Sequence, residues 1–232
     1  MIGLSVPPTP RWRPAPLRRP APPARPARPA RAITLAALSL LALSLGPPAQ
    51  AGALEVQVLD GGRGQPLGGA VVFLDSPEAK AAARPLATVD IAQGERQFQP
   101  MVSVIPVGTP VSFPNRDTVR HHVYSFSAVK RFEIKLYVGR PAQAVVFDQP
   151  GIAVLGCNIH DQMAAWVVVV ETPWYAMTGA DGRVRWPQLP PGRYQLRVWH
   201  PGLAPGEPAA EQPLTVTAAD ARLSVRLAGI SP

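Results

Sequence analysis

Short apolar runs separated by turn residues dominate the chain after residue 52. Alternating apolar and polar positions over Leu54–Asp60 predict a strand with one buried face. The later runs are rich in β-branched and aromatic residues and are bounded by Gly, Pro, Asn or Asp, which is typical of strands. They include Ala70–Asp75, Met101–Val107, Val111–Phe113, His121–Phe126, Phe132–Val138, Ala144–Asp148, Ile152–Gly156 and Ala165–Glu171. No amphipathic helix of useful length is predicted beyond residue 51, so the predicted fold class is all-β, as in sandwiches and barrels.

Turn residues also divide the last third of the chain. Asp181-Gly182 predicts a tight hairpin turn, and Pro190-Pro191-Gly192 predicts a turn in which proline is followed by glycine. These turns separate further alternating runs, which extends the all-β prediction to the end of the chain.

The first 51 residues follow a different pattern. A Pro- and Arg-rich stretch ends at Arg31, the apolar run Ala32–Leu45 follows, and Ala49-Gln50-Ala51 matches the small-x-small pattern of a signal-peptidase site. The apolar run is shorter than the roughly 18–20 residues that cross a bilayer. We therefore expect a secretory signal cleaved after Ala51 and a periplasmic protein; an uncleaved membrane anchor is the alternative.

The positive charge belongs to this leader. The formal net charge is +8, from 23 basic and 15 acidic residues. Seven arginines and no acidic residue lie in residues 1–51, which leaves 16 basic against 15 acidic residues in the remainder. The remainder has no basic patch with interleaved aromatic residues, and this argues against nucleic-acid binding.

The chain has one cysteine, Cys157, in the sequence "GCNIHDQMAA". An exported protein with one thiol cannot form an internal disulfide, so it either buries the thiol or uses it. His160 and Met163 follow at three-residue spacing, on a connection that leaves a predicted strand. A thiolate and a thioether are soft ligands and imidazole is borderline, and a Cys-His-His site with a weak axial Met binds copper and transfers electrons. Such a site needs one more imidazole.

Two of the remaining histidines, His121 and His122, lie at the entry to a predicted strand. Neighbouring residues of a strand point to opposite faces, so only one of them can face the metal. The fourth histidine, His200, is interpreted as a surface or structural residue, and Met101 and Met177 as core residues.

Other uses of Cys157 remain open at this point. A free cysteine is often an inert buried thiol, and a Cys/His pair can be nucleophilic. Thiolate and imidazole are also ligands of zinc, although thioethers rarely bind it. Covalent haem attachment needs C-x-x-C-H, which the sequence lacks.

Residues 97–171 resemble the cupredoxin family, most closely amicyanin and plastocyanin. The resemblance is carried by Asn115, by His121 followed by His122-Val123, and by Cys-x-x-His-x-x-Met from Cys157 to Met163. It implies a single type 1 copper bound by four residues, with Asn115 joining the two ligand loops by a side-chain hydrogen bond. The implied ligands are His121, Cys157, His160 and the weak axial Met163. Exported proteins of the methylamine-utilisation group are also similar, including in "CNIHD".

The chain departs from this family pattern in two places. Asp161 stands after the second histidine, where the family often has an apolar residue or proline, and Leu155 replaces a usual aromatic residue. The carboxylate of Asp161 argues against a purely hydrophobic docking surface.

Segments on either side resemble a carboxypeptidase-regulatory-like, transthyretin-type sandwich, through "GQPLGGAVVF" and "LPPGRYQL". The resulting prediction is a split sandwich, residues 52–86 and 171–232, with a cupredoxin domain, residues 87–170, inserted in it. Two sandwiches in tandem, or one enlarged sandwich, are the alternatives.

The predicted function is transfer of single electrons between exported redox partners, of cytochrome or dehydrogenase type. A copper carrier or storage protein with the same ligands is the alternative. An enzyme is not expected, because multicopper oxidases and copper nitrite reductases need several more histidines, and only His122 and His200 would remain.

Overall fold

The structure, a computed structural model, describes residues 51–231. The predicted leader, with its apolar run, lies outside the described residues, apart from Ala51. Strands make up 51% and helix 3% of the described residues, and the all-β prediction is confirmed. No helix within residues 51–231 is long and apolar enough to cross a membrane.

The described range contains one short helix and a series of short strands. The helix is α1, Pro77–Ala82. The strands are β1 Gly52–Asp60, β2 Val71–Asp75, β3 Val89–Asp90, β4 Ala92–Gly94, β5 Gln97–Gln99, β6 Val102–Pro106, β7 Thr109–Ser112, β8 His121–Ser125, β9 Phe132–Tyr137, β10 Val145–Phe147, β11 Gly151–Gly156, β12 Ala164–Val170, β13 Tyr175–Met177, β14 Arg183–Leu189, β15 Gly192–Trp199, β16 Ala210–Val216 and β17 Ala221–Leu227.

The flanking strands, β1, β2 and β13–β17, form two sheets with the orders β14-β1-β17 and β13-β2-β15-β16. Strand β1 pairs antiparallel with β14 and parallel with β17, and β2 pairs antiparallel with β13 and β15. Residues from both ends of the described chain therefore share these sheets. The division into a split sandwich and a cupredoxin domain stays a prediction.

The hairpin predicted at Asp181-Gly182 is wrong, although a turn is present there. The turn joins β13 to β14, and these strands lie in different sheets, because β2 and β1 each take one of them as a partner. The local turn sequence could not show which long-range partner each strand would find.

The central strands, β3–β12, include a five-stranded sheet of order β6-β12-β11-β8-β9 and two smaller sheets. Strand β12 explains the run of four valines in the sequence. Val167 and Val169 lie in the core of the central strands, whereas Val168 and Val170 lie in the core of the flanking strands. Because side chains alternate across a strand, β12 is buried on both faces and needs no polar residue there.

Two further expectations differ from the structure. Met101 and Met177 are 54% and 42% exposed, so their assignment to the core is wrong; one precedes β6 and the other ends β13, at the edge of its sheet. The helix α1 was not predicted. Ser76 caps it by accepting a hydrogen bond from the backbone N–H of Ala79, and Pro77 opens it.

Candidate metal centre

Two neighbouring strands bring the predicted site residues together. His121 begins β8, and Cys157 directly follows the end of β11. These strands are antiparallel, with Tyr124 opposite Gly156, so the start of one lies beside the end of the other. Gly156 allows this approach, since a Cβ at this position would lie 2.6 Å from the Tyr124 ring.

His121, Cys157 and His160 form one cluster. Cys157 Sγ lies 3.8 Å from His121 Nδ1 and 3.8 Å from His160 Nδ1, and one ligand atom from each of the three residues lies within 4.8 Å of the others. His121 is fully buried and Cys157 is 4% exposed, whereas His160 is half-buried. A thiolate with two imidazoles is a donor set that suits copper and also zinc. The cluster is a candidate copper site.

The loop that follows Cys157 turns back on itself. The backbone N–H of Met163 donates to the carbonyl of His160 at 2.9 Å. The side chain of Met163 is 2% exposed and belongs to the same apolar core as Cys157. The loop thus buries its first and last residues and leaves His160 nearer the surface.

His122 lies apart from the cluster, as strand alternation requires. Its Nε2 is 3.1 Å from Glu133 Oε1, without the alignment of a hydrogen bond, and its ring lies edge-on to Tyr124. The structure brings His121, and not His122, to Cys157. His200 has a structural role, since its ring nitrogens contact the backbone of Gly68 and Gly202.

The sequence reasoning missed Asp117, the nearest side-chain partner of His121. His121 Nε2 lies 2.7 Å from Asp117 Oδ2. The same carboxylate accepts the backbone N–H groups of Glu95, at 2.7 Å, and Arg96, at 3.0 Å. An aspartate four residues before a histidine signals contact only in a helix, and this segment is not helical, so no local pattern indicated the pair.

The pKa of Asp117 is lowered by these contacts. Burial acts in the opposite direction and would raise the pKa. The hydrogen bonds from Arg96 N–H, the His121 ring and Glu95 N–H outweigh burial, because they favour the charged carboxylate.

Asn115 has a different role from the one that the family resemblance implied. Its Nδ2 donates to the carbonyls of Val119 and Tyr137, at 2.8 and 2.9 Å, and its Oδ1 accepts the N–H of Asp117. These bonds fix the turn before His121 to β9. The expected bond that joins the two ligand loops is therefore wrong, since none of these partners lies in the loop from Cys157 to Met163.

Tyr137 extends this support beneath the site. Its hydroxyl bonds with the side chain of Gln93 and donates to the carbonyl of Phe113. Burial raises the pKa of Tyr137 to about 12; the Gln93 hydrogen bond lowers it, and the charge of Cys157 raises it. The strand that carries His121 is thus held by a buried polar network.

Solved structures similar to this chain include a copper-containing nitrite reductase from Thermus scotoductus SA-01, at 26% identity and a TM-score of 0.34. That alignment covers 41% of this chain but only 27% of the reductase. A purple cupredoxin from Nitrosopumilus maritimus aligns at 24% identity and a TM-score of 0.32, over 37% of this chain and 100% of the cupredoxin. A mutant of amicyanin in its Cu(I) form aligns at 18% identity and a TM-score of 0.33, over 43% of this chain and 98% of amicyanin.

These three neighbours are thus two cupredoxins and a copper enzyme, each aligned over less than half of this chain. No protein-family profile matches the chain, and no curated protein does. Since the TM-scores lie well below 0.5, the function proposed below rests on the side chains of the cluster.

Proposed function

We propose that this protein is an exported carrier of single electrons that binds one copper ion at His121, Cys157 and His160, with Met163 as a weak axial ligand. The observation that carries the proposal is the convergence of one thiol and two imidazole nitrogens within 4.8 Å. Bound there, copper would supply a one-electron redox couple.

The protein's own residues give such a site its shape. Cys157 and His121 are buried, so water is kept from the thiolate and one imidazole. Cys157 offers the soft ligand that Cu(I) prefers, and the imidazoles suit both oxidation states. Met163 is buried in the same core and offers a neutral thioether, which favours copper over zinc.

The half-buried His160 provides the route to a partner. Its neighbour Ile159 is 45% exposed, and Asp161 is exposed beside it. We propose that a redox protein docks over the His160 ring, and that Asp161 makes this surface partly polar. Unchanged electron-transfer rates with a physiological partner for Asp161→Ala would remove the role of Asp161.

A carrier is proposed rather than an enzyme because the other histidines of residues 51–231 lie outside the cluster. His122 lies beside Glu133, and His200 contacts the backbone of Gly68 and Gly202. Neither is in the cluster at Cys157.

The test is the visible spectrum of the mature protein loaded with Cu(II), compared with Cys157→Ser. We expect an intense thiolate-to-copper charge-transfer band in the wild type, its loss in the variant, and a reversible one-electron wave. A colourless protein that binds Cu(I) tightly would favour the copper carrier instead. A protein that binds neither copper ion would overturn both functions.

A further inference from the structure

We infer that Asp117 is a positioning residue of the metal centre, whose carboxylate fixes His121 with its proton on Nε2 and its Nδ1 lone pair facing Cys157. The inference about the tautomer stands on the metal-free protein. Its consequence for copper rests on the proposed function.

The hydrogen-bond chemistry of the His121 ring shows which of its nitrogens carries the proton. A neutral imidazole carries one N–H and one acceptor nitrogen, and a carboxylate only accepts. Because Asp117 Oδ2 lies 2.7 Å from Nε2, Nε2 donates, and the remaining lone pair is on Nδ1. Nδ1 is the nitrogen 3.8 Å from Cys157 Sγ. The pair therefore selects the tautomer that can bind a metal between His121 and Cys157.

Asp117 is itself held in place by backbone N–H groups of a neighbouring hairpin. The strands β4 and β5 form a hairpin whose turn is Glu95-Arg96, with φ of 55° and 57°. Two such left-handed residues direct successive backbone N–H groups into a concavity that binds anions. Here the anion is the Asp117 carboxylate, at 2.7 and 3.0 Å from these two nitrogens.

A carboxylate is required at position 117 because several donors point at this side chain. Three donors converge on Asp117, namely Glu95 N–H, Arg96 N–H and His121 Nε2–H. Arg96 and His121 share Oδ2, while Glu95 uses Oδ1. An amide carries no charge and has one acceptor oxygen, so in Asp117→Asn at least one of the three donors would face the NH₂. Asp117→Asn therefore breaks the set with almost no change in volume.

The consequence for a bound metal follows from charge. A hydrogen bond to a carboxylate raises the basicity of a ligand histidine and fixes its ring. A fixed negative charge beside the ring stabilises Cu(II) more than Cu(I). We therefore expect the ratio of Cu(II) affinity to Cu(I) affinity to be higher with the Asp117 carboxylate than without it.

The experiment compares the wild type with Asp117→Asn and with the charge-matched control Asp148→Asn. Asp148 is exposed, pairs with Lys130 and lies outside the cluster at Cys157. Long-range ¹⁵N NMR of the metal-free proteins near pH 8 reports the tautomer of His121. Titration with Cu(I), Cu(II) and, separately, Zn(II) then reports the affinities.

In the wild type and in Asp148→Asn we expect the proton of His121 on Nε2, protected from exchange. In Asp117→Asn we expect weaker protection, because the acceptor loses its charge, and about 10- to 100-fold weaker binding of Zn(II) and Cu(II). The ratio of Cu(II) to Cu(I) affinity should fall by about tenfold, which is about +59 mV in the potential of a one-electron couple.

A proton on Nδ1 in the metal-free wild type would overturn the inference, and this measurement needs no variant to fold. Equal metal affinities for Asp117→Asn and Asp148→Asn would also overturn it. If the wild type shows the expected tautomer and binds Zn(II) but gives no charge-transfer band with Cu(II), the proposed function fails and the positioning role stands.

Discussion

The two halves of the metal centre differ in how they are held. The strand half is the turn from Asn115 to His121. The His121 ring is fully buried, and its Nε2 is hydrogen-bonded to Asp117. The loop half runs from Cys157 to Met163, and its histidine, His160, is half-buried beneath exposed neighbours. One histidine is buried and held by a hydrogen bond to Asp117, and the other lies close to the surface.

This difference matches two separate demands that the proposed role as an electron carrier would make. Little rearrangement between oxidation states requires ligands that are already oriented, which buried hydrogen bonds provide. Exchange with a partner requires a ligand near the surface. The comparison teaches that each demand is met by a different half of the site, and that mutations in the two halves should have different effects.

The largest difference is expected between the two histidines. In the metal-free protein, His121→Ala should lower the free energy of unfolding by about 2–4 kcal/mol, because it leaves a buried cavity and removes a donor to Asp117. His160→Ala should cost about 1 kcal/mol or less, since this ring is half-buried. Urea unfolding measures both, and equal losses would remove the distinction between the halves.

A smaller effect is expected at the turn of the strand half. Asn115→Ala removes two donors and one acceptor in a side chain that is 6% exposed. We expect a loss of about 2–3 kcal/mol, because the carbonyls of Val119 and Tyr137 lose their side-chain donor. Asn158→Ala, in the exposed loop half, is the control and should stay within about 0.5 kcal/mol. A stable Asn115→Ala protein would show that the turn is held by other contacts.

The smallest effect is expected at Tyr137. Tyr137→Phe should cost about 1–2 kcal/mol at neutral pH, since the carbonyl of Phe113 loses its hydroxyl donor. Tyr124→Phe is the control, because the Tyr124 hydroxyl has no hydrogen bond within the described residues.

The pH dependence sharpens the same prediction. Folding raises the pKa of Tyr137 from 10.0 to about 12, so folding favours the neutral phenol. Its contribution to stability is fully present below pH 10 and is lost as the pH rises towards 12. Urea unfolding at pH 9 and pH 11 should show a smaller decline for Tyr137→Phe than for the wild type. Identical declines would mean that Tyr137 does not contribute to the alkaline loss of stability.

Much of the site could be predicted because its chemistry is local in sequence. Cys157, His160 and Met163 lie on one short loop, and strand alternation separates His121 from His122. Asp117 could not be predicted in the same way. Its partners are the turn Glu95-Arg96 and a histidine on a later strand, and only folding brings them to one carboxylate.

The fold shows the same limit. Alternating and β-branched runs determined the all-β class and the positions of most strands. Every second residue of a strand faces the same side of the sheet, so a buried face requires an apolar residue at every second position. The same runs did not indicate that β13 would pair with β2 and β14 with β1, in different sheets. The hairpin predicted at Asp181-Gly182 was therefore wrong.

The sequence by itself determined that the chain is all-β and which candidate ligand side chains it offers. Tertiary structure alone decided that His121 meets Cys157 at 3.8 Å, that Asp117 holds its other nitrogen, and that Asn115 turns away from the loop half. The physical reason is that residue type and periodicity are local properties, whereas hydrogen-bond partners across sheets are chosen by packing.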